Sequence, residues 1–272
     1  MVFIPLMAPV VLLAALGPLV RWKRDHLGAL VKRMRAALGV SIVLGTALML
    51  MASAPVSMGA AIALAGALWV LSGVLHSLWD QLRNRRSKWQ ALLRLPRSYV
   101  GMTLAHLGIG VFVVGVAAVV VYGEERDVRL APGETVTLAG YRFELLGVDA
   151  HPGPNYQAER GKVRVSRNGK PVVVLAPEKR NYPVQGQPMT EAAIDPGLTR
   201  DLYVSLGERL GDGAWSVRVY VKPFVRWIWL GALMMALGGV LAASDRRYRA
   251  EARSHARAAA GGTLAGAGSM SR

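Results

Sequence analysis

Cysteine is absent from the 272 residues. Its absence excludes a dithiol oxidoreductase, a disulfide scaffold, a Cys-ligated metal site and a thiolate nucleophile within this chain. Acidic side chains are scarce, with 17 Asp/Glu against 33 Lys/Arg and a formal net charge of +16. Between Gly123 and Lys222 no glycine-rich phosphate loop, catalytic triad or metal-ligand spacing stands out. The first apolar run has neither a basic leader nor a small-residue cleavage site, so it is not expected to be a secretory signal.

Apolar residues, by contrast, make up 53% of the chain and come in long blocks, which argues against a single soluble core. Tyr99–Tyr122 holds no Asp, Glu, Lys or Arg. At ~1.5 Å rise per residue it is long enough to cross a ~30 Å hydrocarbon core, and it has a tyrosine at each end for the interfaces. Further membrane helices are expected at about residues 2–20, 36–52 and 59–79, and at Val225–Ala243. Pro5, Pro9 and Pro18 are local irregularities in the first.

The charge is distributed in a pattern that fits these spans. Basic segments lie at Arg21–Arg35, at Arg83–Arg97 and in the tail from Ser244. Between Gly123 and Lys222, 14 Lys/Arg face 13 Asp/Glu. Five spans put the three basic segments on one side, and the positive-inside rule makes that side the cytoplasm. Nucleic acid is therefore not needed to explain the charge, because anionic lipid headgroups are sufficient partners for the arginines. The expected architecture is an α-helical integral membrane protein of about five transmembrane helices, with a small all-β periplasmic domain inserted between the last two. Residues 1–122 form the four-helix membrane region, 123–223 the β domain, 224–243 the fifth helix and 244–272 a basic cytoplasmic tail. The same topology puts Met1 outside and followed directly by a span, which suggests the C-terminal portion of a longer membrane protein or a split-gene product.

The β assignment of residues 123–223 rests on alternation and turn chemistry. Glu134–Leu138 and Tyr141–Val148 flank Ala139-Gly140, while Lys162–Arg167 and Pro171–Leu175 flank Asn168-Gly169. Leu202–Leu206 and Trp215–Val221 add two alternating strands. His151–Tyr156 and Tyr182–Gly197 are expected to be irregular, and the charge runs Glu124–Asp127 and Glu178–Arg180 to be solvated faces. Six or more short strands suit a small sandwich or barrel.

Of the five histidines, His26 and His255 lie in basic segments, His76 near a helix end and His151 beside Pro152-Gly153. His106 differs, standing roughly 10 Å inside the apolar helix from Tyr99. Two explanations stand for it: an interhelical hydrogen bond, or a ligand to a cofactor such as haem iron. Gly101, Ala105, Gly108 and Gly115 share a smooth face suited to helix packing. Gly110, four residues beyond His106, leaves room where a flat macrocycle would need it. Lys222, Arg226, Trp227 and Trp229 read as an interface anchor or a contact for an anionic group.

The blocks GMTLAHLGIGVFVVG, ERDVRLAPGE, GPNYQAERG, EKRNYPVQ, PMTEAAID, TRDLYVSLGE and VKPFVRWIW, with GPLVRWKR at Gly17–Arg24, resemble the CcmF family. These are bacterial inner-membrane haem lyase subunits of cytochrome c maturation, and the resemblance runs from about Leu16 to Arg249. It implies that His106, in the LAHLG block, matches a transmembrane histidine that ligates haem b. It also implies partners: a periplasmic haem chaperone, and apocytochrome c, whose CxxCH thiols add across the haem vinyl groups. The lack of cysteine is consistent, since those thiols belong to the substrate. The family's tryptophan-rich WWD segment and its two flanking histidines are missing, as is a recognisable second haem ligand. The chain is thus expected to be a C-terminal part, working with an N-terminal portion of the same lyase and not competent alone. The alternative is a non-catalytic membrane scaffold that docks the haem chaperone and apocytochrome c.

Overall fold

The computed structural model describes residues 3–17, 28, 34–35, 38–43, 45–47, 58–183, 186 and 188–245. It divides into two compact units. One contains residues 1–53, 62–112 and 230–272, and the other residues 54–61 and 113–229.

The helices are α1 (Phe3–Leu16), α2 (Met58–Leu82), α3 (Lys88–Leu93), α4 (Arg97–Tyr122) and α5 (Val225–Ala243). Residues 38–43 and 45–47 are also helical. Three helices among the described residues are long and apolar enough to cross a membrane: Ala61–Leu82, Arg97–Tyr122 and Val225–Ala243. The span expected at 2–20 overlaps α1, which contains Pro9; Gly17 follows in a turn, and residues 2 and 18–20 lie outside the described residues. Much of the span expected at 36–52 also lies outside them, as do His26, His255 and the tail beyond Asp245.

Side chains are sparse where α4 and α5 meet in the first unit. A Cβ on Gly101 would stand 2.5 Å from Gly238 O and Ala242 N, and one on Gly108 would stand 2.7 Å from Gly231 O. The converse holds on α5, where a Cβ on Gly231 or Gly238 would come within 2.6 Å of the α4 backbone. The small face expected at Gly101, Ala105 and Gly108 is therefore a backbone-to-backbone seam. Such seams are how apolar helices associate where lipid removes any hydrophobic drive between them.

The second unit contains two antiparallel sheets. Strands β1 (Glu124–Leu130), β10 (Trp215–Pro223), β9 (Arg200–Arg209) and β8 (Ala193–Pro196) make one, in that spatial order. Strands β2 (Thr135–Leu138), β3 (Tyr141–Pro152), β4 (Gln157–Arg167), β6 (Glu178–Asn181) and β7 (Pro188–Glu191) make the other, with β5 (Lys170–Leu175) also paired to β4. Leu138, Phe143, Leu145, Val163 and Val165 from one sheet and Leu202, Val204, Leu206, Val217 and Val219 from the other form one core. Alternation sets this arrangement: Val217, Val219 and Val221 are buried, while Arg218 between them is exposed. Both expected hairpins form, with Ala139-Gly140 at φ 47° and 76° and Asn168-Gly169 at φ 51° and 76°. Those left-handed pairs match the twist of the flanking strands.

Four stretches differ from the sequence-based expectation. Glu124–Asp127 is solvated, yet it forms an edge strand in register with β10 from Glu124↔Val221 to Leu130↔Trp215. Charge on an edge strand suits its exposure. The stretch expected to be irregular at Tyr182–Gly197 contains β7 and β8, and β3 runs on through His151 to Pro152 opposite Gln157. Glu178–Arg180 is not a solvated face. Glu178 is buried, because Arg160 Nε (2.5 Å) and Arg180 Nε (2.8 Å) donate to its carboxylate and replace its water.

Candidate functional site

Proline 96 precedes α4, and the helix then runs 26 residues to Tyr122 with no charged side chain after Arg97. Its first turn is fixed where the Ser98 N–H donates to Asp245 Oδ2 at 3.0 Å. The helix positions His106 by its own backbone. The Nδ1 of His106 lies 2.8 Å from Met102 O, one turn back. A carbonyl can only accept, so Nδ1 carries the proton, and in the neutral ring the lone pair is on Nε2. This arrangement differs from an interhelical hydrogen bond, because Nδ1 bonds to its own helix.

Nε2 faces the end of α1. A Cβ on Gly17 would stand 3.2 Å from Nε2 and 3.9 Å from Cε1, close enough that the ring would have to give way slightly. Nearby, Trp69 and Val70 of α2 are buried against Val11, Ala14, Leu16, Met34 and Ile109, and the Trp69 indole donates to Leu12 O at 3.2 Å.

For haem iron, these residues would offer one axial position, through Nε2 of His106. An imidazole whose Nδ1–H is tied to a carbonyl has a fixed tautomer and a more basic Nε2, as metal-ligating histidines do. Among the described residues no group of three or more His, Cys, Asp or Glu could hold a metal ion. The room expected at Gly110 is taken. A Cβ there would stand 2.6 Å from Leu71 Cδ2, and the glycine serves packing between α2 and α4.

The other sequence candidates lie apart from His106 in chemistry. His76 Nε2 is 3.8 Å from Asp80 Oδ2. His151 stands in β3 opposite Ala158 and lines a groove of about 680 Å³ with Glu159, Lys179 and Arg180. Lys222 Nζ sits over the rings of Tyr220 (4.5 Å) and Tyr203 (5.3 Å), and burial together with the Asp201 charge pushes the Tyr203 phenol pKa up. Trp229 is exposed, and the Trp227 ring meets that of Phe224 edge-on at 5.1 Å. Sequence reasoning missed the contact with Gly17 and the Arg160–Glu178–Arg180 clamp. The GPLVRWKR block that begins at Gly17 was the available signal for the first.

Comparison with known proteins gives these features a family. The model of the CcmF C-terminal β-sandwich matches residues 121–223. A cytochrome c-type biogenesis protein CcmF of Pseudomonas fluorescens is 48% identical over 259 residues, covering 95% of this chain and 39% of that protein. The chain belongs to the CcmF family. The CcmF of Escherichia coli strain K12 is 45% identical over 90% of this chain and 37% of its own length. The chain thus spans 37–39% of the length of these two curated relatives. A solved structure titled cytochrome c heme lyase CcmF aligns with TM-score 0.68 at 24% identity, covering 88% of this chain and 39% of that one. At that identity the match speaks for the CcmF fold alone.

Proposed function

We propose that the chain is the C-terminal part of a haem lyase, attaching haem covalently to apocytochrome c by thioether formation at CxxCH during cytochrome c maturation. His106 would supply one axial ligand, through Nε2, to a haem b within the membrane. The observation that carries this reading is the imidazole inside an apolar helix of a CcmF-family chain, its Nδ1 2.8 Å from Met102 O and its Nε2 turned toward Gly17. A bound haem b would supply a one-electron carrier able to keep iron reduced. The chain's own residues hold the imidazole in one tautomer, and at Gly17 they keep bulk away from the ligating nitrogen.

In this reading five helices cross the bacterial inner membrane, the sandwich is periplasmic and residues 244–272 are cytoplasmic. The partners are a haem chaperone, apocytochrome c and an N-terminal portion of the same lyase that carries the WWD segment and its histidines. The test is complementation of a lyase-deficient strain. The chain together with that N-terminal portion restores c-type cytochromes, and neither part does so alone. Restoration by the N-terminal portion alone would overturn the assignment.

The second reading, a non-catalytic scaffold, is favoured by the sandwich groove lined by His151, Lys179 and Arg180. Deleting residues 123–223 separates the two. Retained docking of chaperone and apocytochrome with lost attachment supports the catalytic role, and lost docking supports the scaffold.

A further inference from the structure

The end of α2 and the start of α4 enclose a groove that plays no part in the haem reading. It measures about 520 Å³ and is lined by Arg85, Arg86, Ser87, Gln90, Arg94 and Tyr99, among others. Asp80 is the one acidic residue between Trp79 and Tyr99, and it is already engaged. Its Oδ1 lies 3.4 Å from Arg83 Nε and its Oδ2 3.8 Å from His76 Nε2. Among the described residues no carboxylate pairs with Arg85, Arg86 or Arg94. Three guanidiniums therefore share one concave surface without a counter-ion among the described residues.

The surroundings indicate which anion would fit. The groove lies where the chain leaves one apolar helix at Leu82 and enters the next at Arg97. Beside the arginines, Trp79, Trp89 and Leu93 are 55%, 68% and 69% exposed, and Lys88 Nζ sits 4.7 Å from the Trp79 ring centroid. Exposed tryptophan and leucine next to arginine is the composition of a surface at the boundary between headgroups and acyl chains. The guanidinium fork matches a phosphate with two parallel hydrogen bonds. A soluble phosphate would leave Trp89 and Leu93 uncovered, whereas a lipid covers them with its acyl chains.

We propose that this groove binds the phosphodiester headgroup of an anionic phospholipid through Arg85, Arg86 and Arg94. The inference rests on α2 and α4 crossing a membrane and is independent of the haem. The purified chain in mild detergent is offered equal amounts of phosphatidylglycerol and phosphatidylcholine, and retained lipid is counted by native mass spectrometry. The expected result is a preference for phosphatidylglycerol of about tenfold or more, falling to near unity in Arg85→Gln/Arg86→Gln/Arg94→Gln. Arg126→Gln/Arg142→Gln, in the sandwich, leaves the preference unchanged. Where the triple Gln variant does not fold, the Arg→Lys triple keeps the charge and loses the fork, and it lowers the preference several-fold. Equal retention of the two lipids by the wild-type chain overturns the proposal. So does an unchanged preference in the arginine variants, or displacement of the lipid by inorganic phosphate. Alkaline carbonate extraction is run alongside. A chain released by carbonate breaks the membrane reading, whereas an integral chain with no lipid preference breaks only this site.

Discussion

Where α4 meets α5 side chains are missing, and where the two sheets of the sandwich meet they are branched and plentiful. The seam runs through Gly101, Gly108, Gly231 and Gly238, while the sandwich core is built from Val163, Val165, Val204, Val217 and Val219 with Phe143 and Trp215. Both regions are close-packed, but for different physical reasons. In water each buried branched side chain adds roughly 1.5–3 kcal/mol of transfer free energy. Between helices in lipid that term vanishes, and attraction grows only as backbones approach. Bulk therefore stabilises one region and would disrupt the other.

The contrast breaks most sharply at Gly238. Gly238→Leu puts a Cβ 2.6 Å from Gly101 O and Ala105 N, with no flexible neighbour to yield. It is expected to cost about 3 kcal/mol or more, read as unfolding of the helical unit at lower SDS fraction. Next in size is Glu178→Gln in the sandwich, which leaves Arg160 and Arg180 without their shared carboxylate, at about 2 kcal/mol by amide hydrogen exchange. Glu178 also makes the sandwich acid-sensitive. Burial pushes its pKa up, but the hydrogen bonds and charges of Arg180 and Arg160 outweigh burial and hold it below the ordinary 4.5. Its contribution is therefore complete above pH 4.5 and is lost as pH falls through the folded-state value. Glu178→Gln should abolish that part of the acid dependence.

Two smaller effects sharpen the comparison. Ala139 holds φ 47° in the β2–β3 turn, a conformation costing a Cβ-bearing residue about 1 kcal/mol, so Ala139→Gly should stabilise the sandwich by up to that amount in denaturant titration. Gly239 follows the seam glycine in sequence, yet a Cβ there meets nothing within 4 Å. Gly239→Ala should be neutral or stabilising by less than about 1 kcal/mol. A cost at Gly239 equal to that at Gly238 would mean that helix propensity, and not the seam, sets the response.

The same contrast explains what could be read from the sequence. Asn168-Gly169 and Ala139-Gly140 announced their hairpins because turn chemistry is local, and Val217, Val219 and Val221 marked the buried face of β10 by alternation. The small face of α4 was legible for the same reason. Its partner face on α5 was not, because helix periodicity does not say which helix lies opposite. Strands β1, β6, β7 and β8 were missed as strands because each is short or charged and owes its conformation to a neighbouring strand. Glu178 looked solvated because Arg160, which helps bury it, is 18 residues away. At the site, the depth of His106 and the position of Met102 one turn below it follow from helix geometry alone. The approach of Gly17 to Nε2 and the filling of the space at Gly110 by Leu71 are tertiary contacts that no local pattern announces.

The absorption spectrum of the chain co-purified with an N-terminal portion of the lyase tests the central claim most directly. The reduced complex is predicted to show a b-type spectrum that is lost or weakened in His106→Ala while the complex stays assembled. An unchanged spectrum in that variant would contradict the assignment of His106 as a haem ligand.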